Sequence, residues 1–220
     1  MKTTSETLDV YQGQFGQFTI TPEDLRGVKI YRSGLVLSAI SFALSSGLIL
    51  GRGATPLTLS LLTPLFTIFC LGLGISLITI HIYLIPLHRL LQVSWGIGTI
   101  SAIIMALTCQ EPLALFIYHN PVTLFGVGFV FVALTGIYFK EAFCFNRLET
   151  KFLTPLVPTL LLGHLLGVLP VGVEQILLGV WTGLFIIFAL RKVIQPLVPD
   201  IGDKSVFTYL KQQRSVSVSL

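Results

Sequence analysis

Between Gly34 and Leu190 the chain repeatedly runs the length of a membrane crossing without a single charged residue. Apolar runs of about 18 or more residues read as transmembrane helices, because hydrocarbon cannot solvate an unpaired backbone. No other feature constrains the fold as tightly. Composition agrees: 53% of residues are hydrophobic, only 11% are charged, and the mean hydropathy is +0.86. A soluble domain carries about 25% charged residues. The expected fold class is therefore all-α, a polytopic transmembrane helix bundle.

Six spans can be drawn, at about Gly34–Gly51, Pro64–Leu84, Leu90–Cys109, Pro121–Phe139, Pro155–Leu169 and Val173–Leu190. Thr63-Pro64, Asn120-Pro121 and Thr154-Pro155 each place a capping side chain before proline, a helix-start signal. On that signal the second span begins near Pro64, and Thr55–Thr63 lies along the interface. Thr21-Pro22-Glu23-Asp24 has the same form with acidic residues in the first turn, which predicts a short helix ahead of the first span. The chain then divides into an N-terminal tail with that helix (1–33), a six-span domain (34–190) and a C-terminal tail (191–220).

Of the 14 Lys and Arg residues, Arg52 alone falls on the side of the membrane opposite the two tails. The positive-inside rule then predicts that both termini are cytoplasmic, with Cys144 on their side and Cys109 at the outer end of the third span. The formal charge of +4 reflects this topology and implies no nucleic-acid partner. The N-terminal tail lacks the apolar core of a cleaved signal, and its acidic residues argue against a transit peptide. Three scattered cysteines form no CxxC pair, so neither a disulfide framework nor a zinc site is indicated.

The stretch FKEAFCFNRLET (Phe139–Thr150) links two very apolar segments. Its Lys140, Glu141, Arg147 and Glu149 are expected in an interfacial loop at headgroup level, where they set orientation and offer a docking surface for protein partners. Apart from Glu174, which stands at the outer mouth of the sixth, no Asp, Glu, Lys or Arg lies inside the six spans. Ion-coupled transporters usually hold an intramembrane acid or base, so that class is weakened. The Gly/Pro-interrupted second and fourth spans are the one hint of a transporter or channel.

His81 and His164 fall within spans, at depths that differ by roughly 10–16 Å on a rise of 1.5 Å per residue. They are unsuited to a shared metal, but each is a candidate axial ligand for chlorophyll or haem. The commoner role of such a histidine is a hydrogen bond to a neighbouring helix. No HExxH, GxSxG, P-loop, GxGxxG or Glu-x-x-His motif occurs. PDIGD (Pro199–Asp203) reads as a turn. Small residues at four-residue spacing suggest close helix approach at Ala39/Ala43/Gly47 and at Ser94/Gly98/Ala102/Ala106, and a glycine-faced hairpin pairing Gly163 with Gly179.

YQGQFGQFTITPEDLRG, HIYLIPLHRLLQ, LTGIYFKEAFCFNRLETKFLTPLVP and PDIGDKSVFTYLKQQ together resemble an uncharacterised integral membrane protein family of cyanobacteria with plant plastid relatives. The resemblance implies a plasma or thylakoid membrane and carries over no catalytic residue. The function expected is a non-catalytic scaffold, assembly or pigment-associated partner of membrane complexes, embedded in the lipid bilayer. The alternatives are a small-solute transporter or channel, and a membrane enzyme with a polar site on the cytoplasmic face.

Overall fold

The computed structural model describes residues 9–206, 209, 210 and 212. Lys2, Glu6, Lys211 and Arg214, which enter the charge argument above, lie outside the described residues. A two-stranded antiparallel hairpin comes first, β1 (Val10–Gly13) paired with β2 (Gly16–Thr19). Eight helices follow among the described residues: α1 (Pro22–Arg52), α2 (Pro56–Thr79), α3 (Ile85–Thr108), α4 (Leu113–His119), α5 (Leu124–Phe145), α6 (Leu148–Leu165), α7 (Val171–Ile194) and α8 (Val198–Ile201). A 3-10 turn at Pro121–Thr123 leads into α5.

The helix-start signal at Thr21 holds. Thr21 Oγ1 accepts from the Asp24 amide at 3.3 Å, and Asp24 Oδ2 accepts from the Thr21 amide at 2.8 Å, a reciprocal capping box. This helix is not a short separate one, however. It continues unbroken into the first span as a 31-residue α1, about 46 Å long and longer than a bilayer core of about 30 Å. Asn120-Pro121 also holds, opening the turn that leads into α5, but Thr63-Pro64 and Thr154-Pro155 mislead. Thr55 caps α2, accepting from the Thr58 amide at 3.2 Å, and Pro64 lies inside that helix, so Thr55–Thr63 is no interfacial strip. Pro155 and Pro158 likewise sit inside α6. Membrane helices tolerate such prolines because neighbouring groups can re-satisfy the freed carbonyls.

Five of the helices are long and apolar enough to cross a membrane by length and composition: α1, α2, α3, α5 with its leading turn, and α7. The 18-residue α6, with Glu149, Lys151 and two prolines, is less apolar, yet it runs the same course. Its first turn meets Arg191 through Glu149, and its last meets Glu174 through His164. Six passes thus alternate in direction and bring the described chain ends to the same end of the bundle. There Lys204 Nζ donates to Asp24 Oδ2 at 2.6 Å, and Asp203 Oδ2 accepts from the Gln14 amide at 2.6 Å. Ile20, Val28 and Ile201 form a small apolar core beneath this clasp. We call this the polar end and its opposite the Arg52 end.

Helix α1 packs closely on α2, but through Gly34 and Ser38 and not through the expected Ala39/Ala43/Gly47 stripe, where a Cβ on Gly47 would meet nothing within 4 Å. A Cβ on Gly34 would lie 2.5 Å from the Gly72 carbonyl oxygen, and one on Gly72 would lie 2.7 Å from that of Gly34. Ser38 Oγ donates to Phe69 O at 3.1 Å and Ser76 Oγ to Tyr31 O at 2.9 Å, so backbone contact and hydrogen bonds coincide. The α3 stripe serves as expected over Ser94, Gly98 and Ala102, which are buried with Gly98 against Val130 of α5, while Ala106 is exposed. The Gly163–Gly179 pairing is not made. Gly163 faces Leu169, and the nearest atom to a Cβ on Gly179 belongs to Leu50 of α1.

Candidate functional site

FKEAFCFNRLET is not an exposed loop. Phe139–Phe145 forms the last two turns of α5, Asn146 adopts the left-handed conformation at φ 53°, and α6 begins at Leu148. Asn is one of few residues that enter this conformation at low cost, so the reversal takes only two residues. Its brevity draws Glu141 and Glu149 into the bundle, where they are 0% and 4% exposed.

Glu141 meets a second buried charge. Lys192, in the last turn of α7 and fully buried, donates to Glu141 Oε2 at 2.8 Å and also to Asp200 Oδ1 of α8. Glu141 Oε1 accepts from Lys140 Nζ at 2.9 Å and from Tyr31 OH at 3.2 Å. Asp200 Oδ2 accepts from Arg32 Nε at 2.8 Å and Nη2 at 2.6 Å, while the same guanidinium donates to the carbonyls of Gln195 and Pro196. A satellite pair lies beside it: Arg191 Nη1 donates to Glu149 Oε2 at 2.9 Å, and Arg147 Nη1 stands 3.7 Å from Glu149 Oε1.

Two expectations are corrected by this network. PDIGD is no simple turn, because its Asp200 pairs with both Arg32 and Lys192. And Lys140, Glu141, Arg147 and Glu149 do not form a solvent-facing surface, since their side chains are 10%, 0%, 11% and 4% exposed. The cause is shared: carboxylates leave water when cations from distant segments can meet them.

The Arg52 end has a different character. A cavity of about 410 Å3 opens there among α1, α2, α4, α6 and α7, lined by Leu50, Leu59, Leu62, Leu115, Leu161 and Leu178 together with Tyr118, His164 and Glu174. A second cavity of about 330 Å3 continues it inward, with Ile49, Leu62, Ala114, Leu160 and Leu178 common to both walls. Its inner lining is aromatic: Phe42 packs 4.5 Å from Trp181, and Phe131 meets Trp181 edge-on at 5.4 Å. Ser45 on this wall turns its hydroxyl to its own helix, donating to Ser41 O at 2.9 Å, while Ser46 and Thr63 add two further hydroxyl residues to an otherwise apolar lining.

Beside the exposed Gln175, three polar side chains at the cavity mouth bond to one another. Glu174 Oε1 is 2.7 Å from His164 Nδ1, and Glu174 Oε2 accepts from Tyr118 OH at 3.1 Å. His164 Nε2 lies 3.2 Å from Tyr118 O, and the two rings stack at 4.7 Å. Burial, reinforced by the hydrogen bond to Glu174 and its charge, raises the Tyr118 phenol above its ordinary value, so it remains a proton donor.

The two histidines singled out as axial ligands are at opposite ends of the bundle. His81 falls in the α2–α3 link at the polar end, its Nε2 4.0 Å from Asp24 Oδ1, and burial lowers its pKa. Both ring nitrogens of His164 already face polar partners. Among the described residues no three His, Cys, Asp or Glu side chains come together as a metal site. Sequence reasoning passed over Arg32, Lys192, Asp200 and Tyr118. Only Glu174 left a trace, ten residues from His164 across the α6–α7 hairpin.

Helices that cross end to end with lipid-length apolar surfaces define a polytopic α-helical integral membrane protein. Residues 75–209 match the family described as "Uncharacterized integral membrane protein (DUF2301)", and the chain belongs to that family. No curated protein and no solved structure matches it.

Proposed function

We propose that this chain is a non-catalytic membrane protein that holds a lipophilic guest between its helices, as an assembly or carrier partner of membrane complexes. The observation that carries this reading is the two-part apolar cavity open at the Arg52 end. Its parts, about 410 and 330 Å3, fall in the range of about 300–1,000 Å3 typical of small-molecule sites. The internally paired charges of the polar end support the non-catalytic reading, because they are committed to one another. In the plasma or thylakoid setting implied by the family resemblance, pigments and their isoprenoid tails belong to the class of guest proposed. His164 would ligate a chlorophyll or haem only by giving up a present partner.

The test is to purify the protein in mild detergent and identify co-purifying lipophiles by mass spectrometry, beside Ala114→Phe, which puts a ring into both cavities. A species enriched with the wild type and depleted with the variant supports the reading. Equal, background-level lipid with both proteins overturns it.

The polar end is proposed to face the cytoplasm, supported by its exposed Arg26, Lys29, Arg89, Lys151 and Arg191. Cys109 follows α3 at the Arg52 end and Cys144 is exposed at the polar end. An impermeant thiol reagent on right-side-out vesicles should therefore label Cys109 first. Preferential labelling of Cys144 would reverse the orientation.

A further inference from the structure

Resting on that reading, we infer that the guest is an uncharged, hydroxyl-bearing single-chain lipophile, its hydroxyl held by Tyr118, His164 and Glu174 and its tail lying against Trp181.

Polarity is unevenly distributed along the cavity, and this asymmetry sets the guest's direction. The ionisable and phenolic groups stand at the mouth, where Tyr118, His164 and Glu174 are within hydrogen-bond reach of one another. From there inward the wall is mostly aliphatic and then aromatic, with Ser45, Ser46 and Thr63 as its hydroxyl residues. A guest with one polar terminus fits in one orientation, with that terminus at the Arg52 end. The opposite orientation would leave a polar group unpaired against Phe42, Phe66 and Trp181, which is penalised heavily in an apolar pocket.

The depth indicates a chain rather than a compact ring. On α1 the wall runs from Gly53 at the mouth to Phe42 near the floor. Eleven residues of helix correspond to about 16 Å. A hydrophobic tail of that length reaches the indole of Trp181, which is itself anchored by donating to Tyr138 OH at 3.3 Å.

The charge at the mouth selects among headgroups. The Glu174 carboxylate is engaged by His164 on one oxygen and Tyr118 on the other, with side-chain exposures of 13% for Glu174 and 18% for His164. An anionic head would have to approach a carboxylate in a partly desolvated site, where like charges repel strongly. A hydroxyl can instead insert between the two side chains, accepting the phenol proton that Tyr118 now gives to Glu174 Oε2 and donating its own proton to that oxygen. A plain hydrocarbon satisfies the tail region but leaves both groups without a ligand partner.

Brominated probes of equal length test this on the full-length protein in detergent, through quenching of tryptophan fluorescence. The chain has two tryptophans, and Trp181 lines the cavity while Trp95 lies outside it on α3, donating to Cys70 O. A brominated long-chain alcohol should quench with a half-saturation about tenfold below that of the matching alkanesulfonate or alkane, as one well-made polar contact implies. Glu174→Gln should narrow the gap between alcohol and sulfonate several-fold, and Tyr118→Phe the gap between alcohol and alkane, with unchanged melting confirming the fold. Equal quenching by all three probes, unaltered in Glu174→Gln, overturns the headgroup assignment and leaves the guest reading standing. Tighter binding of the sulfonate does the same. Absence of quenching by any probe overturns both.

Discussion

At the polar end, Lys192 is fully buried yet touches two carboxylates, and nearly every charge around it has a partner. At the Arg52 end, three polar side chains stand over a cavity of about 410 Å3 that no side chain fills. The same six passes produce both. The difference lies in what each end spends its polar groups on. Arg32, Glu141, Lys192 and Asp200 bind one another and tie α1, α5, α7 and α8 into a closed cap. Tyr118, His164 and Glu174 also bond one another, but they do so at the edge of open volume instead of around a closed core. One arrangement serves cohesion; the other is where the proposed guest would be recognised.

That contrast breaks first at Lys192. Lys192→Met leaves Glu141 without its closest buried cation, and removing one partner of a buried pair costs about 3–5 kcal/mol. We expect a large fall in thermal unfolding temperature in detergent and in membrane abundance. Adding Glu141→Leu to that variant should recover part of the loss. If Lys192→Met alone is as stable as wild type, the network is not a structural cap.

Gly72→Ala tests the close approach of α1 and α2. Its Cβ would sit 2.7 Å from the Gly34 carbonyl oxygen, which belongs to backbone and cannot rotate away. Overpacking of this kind costs about 1–3 kcal/mol. Chemical unfolding should register a destabilisation smaller than that of Lys192→Met.

Ala114→Phe sharpens the comparison from the other side. It enters empty space, so stability should stay within about 1 kcal/mol of wild type while the co-purifying lipophile is lost. A strongly destabilised protein would mean that the cavity wall cannot accept a ring and that the open volume is structurally required.

The smallest effect concerns the clasp between the chain ends. The Ser205 side chain and the Gln14 amide, both donating to Asp203, hold its carboxyl below the ordinary value of 3.8. A lowered folded-state pKa contributes stability fully above the unfolded value and loses it as pH falls through the lowered one. Acidification below about pH 4 should therefore shift the Gln14 amide resonance and loosen the hairpin, with little change at neutral pH. Asp203→Asn should abolish that acid-dependent shift.

Much of the architecture was legible along the chain. Membrane residence, helical class and the even number of passes follow from run length and from charges gathered at two tails. The Thr21 capping box could be read because every atom it needs lies within four residues. The prolines misled because Thr-Pro favours a helix start locally but does not prevent α2 or α6 from extending through it.

What the sequence determined by itself was the solvent: an apolar run is a local property, and hydrocarbon is the only medium that accepts it. What the tertiary structure decided was the fate of each charge and the location of empty space. Glu141 reads as an exposed loop residue until Lys192, 51 residues further on, is found beside it. Coulomb pairing depends on separation in space rather than along the chain, and no local pattern records it. The cavity is a property of the gaps among five helices, visible only once all of them are packed.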